Sequence, residues 1–443
     1  MLINYRIIRR WMLLGISCSA LSLLEISIAK ASGFQIWEQD GASIGQYHAG
    51  YAAEAKDAST AFYNPAGMTR FKNQQMIFGA DGIVTDVKYQ GTVSVSTLFN
   101  YPPQTVVTQG GIFTPVPFLQ YVAPITDDIA FGLSAVVPFG AQLNYHRTTP
   151  LQYVSTYNSI KVVDMSPSLA WQFYDGASIG AGPDLQKMSV EFDQIATWIT
   201  PGANDTSSTN RADDTAWGFH LGGMYQFNAN SRVGLSYHSQ VAHHLSRRSS
   251  FSGPLADPEN DTVPIVSRAT ANITLPPYTA LSLYQQINPK FNIMASVIYT
   301  QWCTVKNLIM KNLAGVDVDG PTTNLIVVVP QNFKNTWNFS IGGNYLATEK
   351  ITLKAGLGYD QTPVQNEYRN VQMPDNNRVA VAFGGHYQAT QTVGIDLGWN
   401  HLFIQNATVS PPTQITGEQQ TTTNGSVTAG ADVYAAQITW DFV

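Results

Sequence analysis

Thr392–Asn400 reads TVGIDLGWN, and its alternation is the pattern from which the fold can be read. Val393, Ile395, Leu397 and Trp399 fall on one face of an extended chain, opposite Thr392, Gly394, Asp396, Gly398 and Asn400. Successive side chains of a strand point to opposite faces, so one face is apolar and the other small or polar. Ile351–Asp360 repeats this, with Ile351, Leu353, Ala355, Leu357 and Tyr359 opposite Thr352, Lys354, Gly356, Gly358 and Asp360. Trp337–Tyr345 and Tyr434–Phe442 do the same. A tilted strand needs about nine to eleven residues to cross a bilayer. Tyr345, Tyr359, Trp399, Tyr434, Trp440 and Phe442 stand near segment ends, where a membrane barrel carries its aromatic girdles.

Working outward, the connections sort into two kinds. Short turns are expected at Pro124–Asp128, Asp175-Gly176, Asn228–Ser231, Asn288–Lys290, Thr348–Lys350 and Ala389–Gln391. Longer polar stretches lie at 91–113, 141–158, 191–213, 246–269, 304–335, 361–377 and 405–432. Six short and seven long connections join 14 strands. An even count, with turns on one side and loops on the other, is the outer-membrane arrangement. Closure also leaves no unpaired backbone in lipid. The composition agrees: 12% of the chain is charged, against about 25% in typical soluble domains. The fold class expected is all-β, a 14-stranded antiparallel transmembrane β-barrel.

Residues 1–31 read as a signal peptide. Arg6, Arg9 and Arg10 form a basic start, Trp11–Leu24 is mostly apolar, and Ala29-Lys30-Ala31 offers a small-x-small cleavage pattern. Without that segment the chain keeps 20 Lys+Arg and 29 Asp+Glu, a net charge of −9, which argues against a nucleic-acid partner. Cys303 is then the only cysteine and falls in an expected strand as inert packing. His238, His243 and His244 lack a recognisable ligand spacing, so no metal and no cofactor are expected. No paired carboxylates, phosphate loop or nucleophile motif stands out, and no enzymatic activity is expected.

One stretch does not read as strand. Gly33–Phe71 is GFQIWEQDGASIGQYHAGYAAEAKDASTAFYNPAGMTRF. Of the 21 residues Gly41–Ala61, 12 are Gly, Ala or Ser, suiting a compact plug packed closely against walls. Asn64-Pro65-Ala66 has the grammar of a capped turn: Asn is a favoured N-cap and Pro is at home in the first turn. Gly33-Phe34-Gln35, Gly45, Gly50, Asp57-Ala58 and Asn64-Pro65-Ala66 occur in an order that resembles the hatch of the FadL-type outer-membrane fatty acid transporters. Leu275-Pro276-Pro277, Tyr299-Thr300-Gln301-Trp302, Phe333-Lys334-Asn335, Asp360–Val364 and Met373–Arg378 extend the resemblance along the chain. It implies three parts: signal peptide 1–31, an N-terminal hatch 32–73 inside the lumen, and a barrel 74–443.

The resemblance also implies roles. Phe34 matches the position where the hatch terminus reaches a bound hydrophobic ligand; the plainer reading is a lumen anchor. Pro138-Phe139-Gly140 interrupts a strand, since Pro lacks a ladder donor and Gly permits a bend. In the family the matching strand kinks inward and opens the wall laterally; otherwise the strand ends at Val137. Ile195, Trp198 and Ile199 have the spacing of a short amphipathic helix, a candidate capture groove. The positions that hold the carboxylate in the best-known members fall near Gln194 and Val329, neither basic. Lys187, Lys334 and Arg378 are the candidate substitutes. The function implied is passive outer-membrane uptake, in a Gram-negative bacterium, of long-chain fatty acids or similar hydrophobic molecules, released sideways to outer-membrane lipid by a monomer. The alternatives are a carrier of neutral compounds such as alkanes or aromatics, and a structural or adhesive barrel.

Overall fold

The computed structural model describes residues 33–97, 99–197, 201–202, 205–257 and 263–442. The wall is 14 strands. In chain order they are β1 (Gln74–Ser96), β2 (Phe113–Pro124), β3 (Ile129–Asn144), β4 (Tyr157–Tyr174), β5 (Ala177–Ala196), β6 (Thr206–Asn228) and β7 (Ser231–His238). After these come β8 (Tyr278–Asn288), β9 (Phe291–Thr300), β10 (Thr336–Leu346), β11 (Ile351–Asp360), β12 (Arg378–Gln388), β13 (Val393–Ile404) and β14 (Gln419–Phe442). Each pairs antiparallel with the next. β14 returns to β1 from Gln74↔Phe442 to Ser96↔Gln420, closing the sheet. No helix among the described residues is long and apolar enough to cross a membrane; the strands do the crossing.

The alternation read in the sequence is the alternation observed. Leu353 and Leu357 are 51% and 55% exposed, while Lys354 and Asp360 on the same strand are 5% and 1%. Ile395 and Leu397 face outward, and Asp396 and Asn400 inward. The outer apolar band is what lipid covers.

Every connection expected to be short is short, at 125–128, 175–176, 229–230, 289–290, 347–350 and 389–392. On the opposite side the strands overshoot the expectation. β1, β5, β6 and β14 run 23, 20, 23 and 24 residues, about twice what a bilayer needs. The loop expected at 191–213 is therefore reduced to 197–205, and Ile195 lies in β5 rather than in a helix. The long connections carry strands of their own: Val241–Ser252 pairs with Ile265–Leu275 and Asn307–Asp317 with Gly320–Pro330, and the two hairpins meet at Thr270↔Lys311. Cys303 corrects another expectation. It is exposed in the turn Trp302–Thr304, not packed in a strand.

Gly33–Phe71 is enclosed by the wall, with most side chains buried. Its backbone bonds to inward side chains around the sheet. Gln120 Nε2 donates to Gln39 O (2.8 Å), Lys354 Nζ to Ala42 O (2.7 Å), and Gln437 Oε1 accepts from Gly41 N (3.0 Å). Ser296 and Ser282 accept from Gly50 N and Ala52 N at 2.9 and 3.0 Å. Space for this comes from wall glycines: a Cβ at Gly356 would lie 2.3 Å from the Gln46 backbone, and one at Gly358 1.7 Å from the Tyr47 ring.

Candidate functional site

The site is built from the N-terminal segment and the one wall strand that breaks register. The segment's last turn is held by Asn64, which is fully buried. Its Oδ1 accepts from Ala66 N at 3.1 Å, capping the turn Pro65–Arg70 with Pro65 at its start. Its Nδ2 donates to Ala52 O (2.6 Å) and to Gly223 O of β6 (3.1 Å). One amide thus satisfies two parts of the segment and the wall.

At its other end the segment meets β3. This strand pairs with β2 only from Pro124↔Ala130 to Leu119↔Ala135. Against β4 its register slips between Val136 and Phe139, so Val137 and Pro138 oppose Val163 alone. Two residues against one make a β-bulge, which bends the strand and re-aims its side chains. β3 does not end at Val137; it continues to Asn144. The edge that β2 leaves is taken by the segment: Ile36 N donates to Pro138 O (3.1 Å) and Gly140 N to Phe34 O (2.8 Å), with Gln35 bridging Phe139. Above, Asn144 N donates to Gly110 O (2.9 Å). Between these two ends β2 and β3 share no backbone ladder. Pro115 and Pro117 of β2 flank that interval, and neither has an N–H to offer a ladder.

Phe34 is 3% exposed and packs on Trp302 at 4.8 Å and Phe139 at 6.0 Å between ring centroids. It lines an apolar cavity, a space of about 1050 Å³ including its open mouth. The walls are aliphatic and aromatic, among them Ile160, Phe192, Ile273, Leu308, Met310, Val327 and Phe333. Amides and hydroxyls such as Gln142, Asn158, Asn210, Gln372 and Gln414 supply the polar part. Asp193 is the one charged residue among those lining it.

That census decides several expectations. Gln194 and Val329 both line the cavity, so the structure brings together the two positions matched to carboxylate recognition, and both are neutral. Lys334 and Arg378 do not line it. Arg378 lies 3.5 Å from Asp360 Oδ2, in a cluster where Trp37 Nε1 also donates to Asp360 (3.3 Å). Lys187 projects from the outer face of β5. Lys334 lies in the connection before β10 and Arg378 at the start of β12 beside Asp360, so both stand apart from this cavity's lining. Ile195 is 7% exposed but packs with Tyr89, Tyr145 and Leu151 instead of the cavity. Trp198 and Ile199 lie outside the described residues.

Sequence reading missed one constellation. Ser168 Oγ is 2.7 Å from His220 Nε2, and His220 Nδ1 is 2.5 Å from Asp184 Oδ1. Adjacent strands β4, β5 and β6 carry the three, so no local motif announces them. The order is that of a nucleophile, base and orienting acid. Here all three are buried, and Ser168 Oγ lies 3.3 Å from Ala61 O. Ser168 ties the row to the segment through Ala61, and His238, stacked on His220 and 3.9 Å from Asp184 Oδ2, packs on the segment's Phe62. Among the described residues no group of three or more His, Cys, Asp or Glu is placed to hold a metal.

A family described as "Outer membrane protein transport protein (OMPP1/FadL/TodX)" matches residues 22–442. Outer membrane protein P1 of Haemophilus influenzae is 27% identical, with 95% of this chain and 97% of that protein covered. A long-chain fatty acid transport protein of Salmonella typhi is 24% identical over 86% of this chain and 90% of its own. Among solved structures, a Pseudomonas aeruginosa FadL homologue superposes with a TM-score of 0.81 at 24% identity, covering 93% of this chain and 100% of that one. The Pseudomonas putida toluene transporter TodX superposes at 0.69 with 17% identity, covering 91% and 98%.

Proposed function

This chain belongs to the OMPP1/FadL/TodX family of outer-membrane transport proteins, and from that premise we propose that it carries elongated, neutral hydrophobic molecules passively across the outer membrane of a Gram-negative bacterium. The observation that supports the neutral class is the cavity at Phe34, lined, among the described residues, by aliphatic and amide side chains with no Lys or Arg and one Asp. A carboxylate entering it would lose its water and meet no cation, and burying an unpaired charge is strongly unfavourable. An alcohol, ester or hydrocarbon loses little and buries its tail.

In this reading Gly33–Phe71 is the hatch, and cargo captured under the long connections rests against Phe34. Phe34 O holds Gly140 N, so withdrawing the segment's first residues would vacate both the cavity floor and the edge of β3. Cargo would then leave between β2 and β3 into outer-membrane lipid. The sheet closes within one chain, so a monomer contains the whole route.

The fatty acid transporter of Salmonella typhi among its relatives keeps a second reading in view, in which the amides of the cavity hold a protonated carboxyl. Binding of a long-chain alcohol, the matching fatty acid and toluene to detergent-purified protein, followed by calorimetry, separates the readings. The alcohol should bind at least as tightly as the acid. An acid that binds tenfold more tightly than its alcohol refutes the neutral class, and failure of all three refutes hydrophobic cargo.

A further inference from the structure

The mouth on the short-turn side has the opposite character to the cargo cavity. A polar cup there, about 1360 Å³ including its opening, is lined by Lys56, Arg70, Lys72, Arg232 and Lys290, with Glu54 and Asp441 the only acids. Five cations against two carboxylates stand out in a chain whose overall balance is negative.

The two acids offset only part of this charge and make no close ion pair with the cations. Glu54 Oε1 accepts from Asn344 Nδ2 (3.0 Å) and Oε2 from Gln46 Nε2, while Asp441 Oδ1 accepts from Gln75 Nε2 (2.8 Å). Both are satisfied by amides. Among the described residues none of the five cations makes a salt bridge. Arg232 is 6% exposed, its guanidinium donating to Ala53 O and Glu54 O and lying 3.6 Å over the Tyr284 ring. A buried guanidinium without a carboxylate partner is a fixed positive charge at the base of the cup.

We infer that this cup binds a phosphate group, held between the N-terminal segment and the wall. Lys56 and Arg70 come from the segment and Lys72 from the linker to β1; Arg232 and Lys290 come from the β7 and β8–β9 region of the wall. Two guanidiniums and three ammoniums suit a phosphoryl group, with its several acceptor oxygens, better than a carboxylate. An occupant touching both halves would stabilise the seated segment in proportion to its concentration. A free monoester and a lipid phosphodiester share the phosphoryl oxygens recognised here and differ in charge, which the titrations below separate.

The test uses full-length protein in neutral detergent at constant ionic strength. Inorganic phosphate, dihexanoyl phosphatidylglycerol, acetate and chloride are titrated by calorimetry, with hydrogen exchange of residues 52–70 as a second readout. Phosphate or the phospholipid should bind and slow that exchange, and the stronger of the two names the source. Lys72→Gln with Lys290→Gln, both exposed positions, should weaken binding at least tenfold while the barrel keeps its heat-modifiable gel mobility. Lys56→Gln serves as an independent second variant. Effects matched by acetate or chloride, or variants that bind as the parent does, overturn the proposal. Toluene or alcohol binding in the same preparations scores the cargo reading separately.

Discussion

The side-chain amide of Asn64 donates to the carbonyl of Gly223, 159 positions away, at 3.1 Å. Through it the segment's last turn is attached to β6 as well as to its own backbone. Replacing Asn64 with Ala removes the cap, a loss of about 1 kcal/mol. It also strands the buried carbonyl of Ala52, which costs roughly another 1–3 kcal/mol. Hydrogen exchange of residues 52–68 should accelerate about 30-fold or more while the wall stays protected, since its ladders are separate. Unchanged exchange would show that Asn64 does not seat the segment.

Gly356 tests how closely wall and segment fit. A Cβ there meets the Gln46 backbone at 2.3 Å, whereas one at Gly223 meets nothing within 4 Å. Gly356→Ala should destabilise the seated segment by about 1–3 kcal/mol, the usual range for overpacking, and Gly223→Ala should be close to neutral. Equal thermal shifts for the two would disprove the close fit.

The interrupted ladder between β2 and β3 tests the exit. At Gly140 a Cβ would make ordinary contacts, 3.6 Å from Ile160 O and 3.7 Å from Ile36, so a β-carbon fits there. Pro138→Thr with Gly140→Val should stiffen β3 at the bulge with the segment still bonded to its edge, leaving cargo binding at Phe34 intact and reducing uptake. Normal uptake in this variant would remove the lateral route.

Installing charge tests the cargo class. Gln194→Arg or Val329→Lys places a cation in the cavity at positions that already line it. Long-chain carboxylate affinity should rise about tenfold, equivalent to roughly 1.4 kcal/mol, with the alcohol unaffected. A parent protein that already prefers the carboxylate, unimproved by either change, would contradict the neutral reading.

Asp40 gives the segment a pH dependence. Burial pushes its carboxyl up to about 7, the neighbouring Asp57 carboxyl adds to this, and hydrogen bonds from Ser43 and Tyr63 oppose it. The seated state therefore holds its proton longer than the released one. That stabilisation is complete below the ordinary carboxylate range, near pH 4, and is lost as pH rises through about 7. Burial holds His48 down to about 3, so it slopes the other way: only the released state takes up a proton below the ordinary histidine range, which favours release at low pH. Glu38, raised by burial, slopes the same way as Asp40. With exchange corrected for its intrinsic pH dependence, protection of residues 38–64 should fall from pH 5 to pH 8 by less in Asp40→Asn than in the parent, the difference isolating Asp40 from His48. A steeper dependence in Asp40→Asn would reverse the sign argued here.

What the sequence determined by itself was the wall and the local turns. Period-two alternation along Ile351–Asp360 decides which side chains face lipid, because strand geometry allows no other division. The six short turns and the Asn64-Pro65 cap are equally local. Tertiary structure alone decided what meets inside. The register of three neighbouring strands brings Ser168, Asp184 and His220 into one hydrogen-bonded row, and the packed segment sets Phe34 against Phe139 across the bulge. Pairing also settled the length of β5, which carries Ile195 into a strand because its ladder with β6 continues to Ala196↔Thr206. Arg378, which by composition could hold a carboxylate, is claimed by Asp360 on the neighbouring strand. An inward residue's partner is set by strand tilt, register and the packed segment, none of which a linear pattern contains.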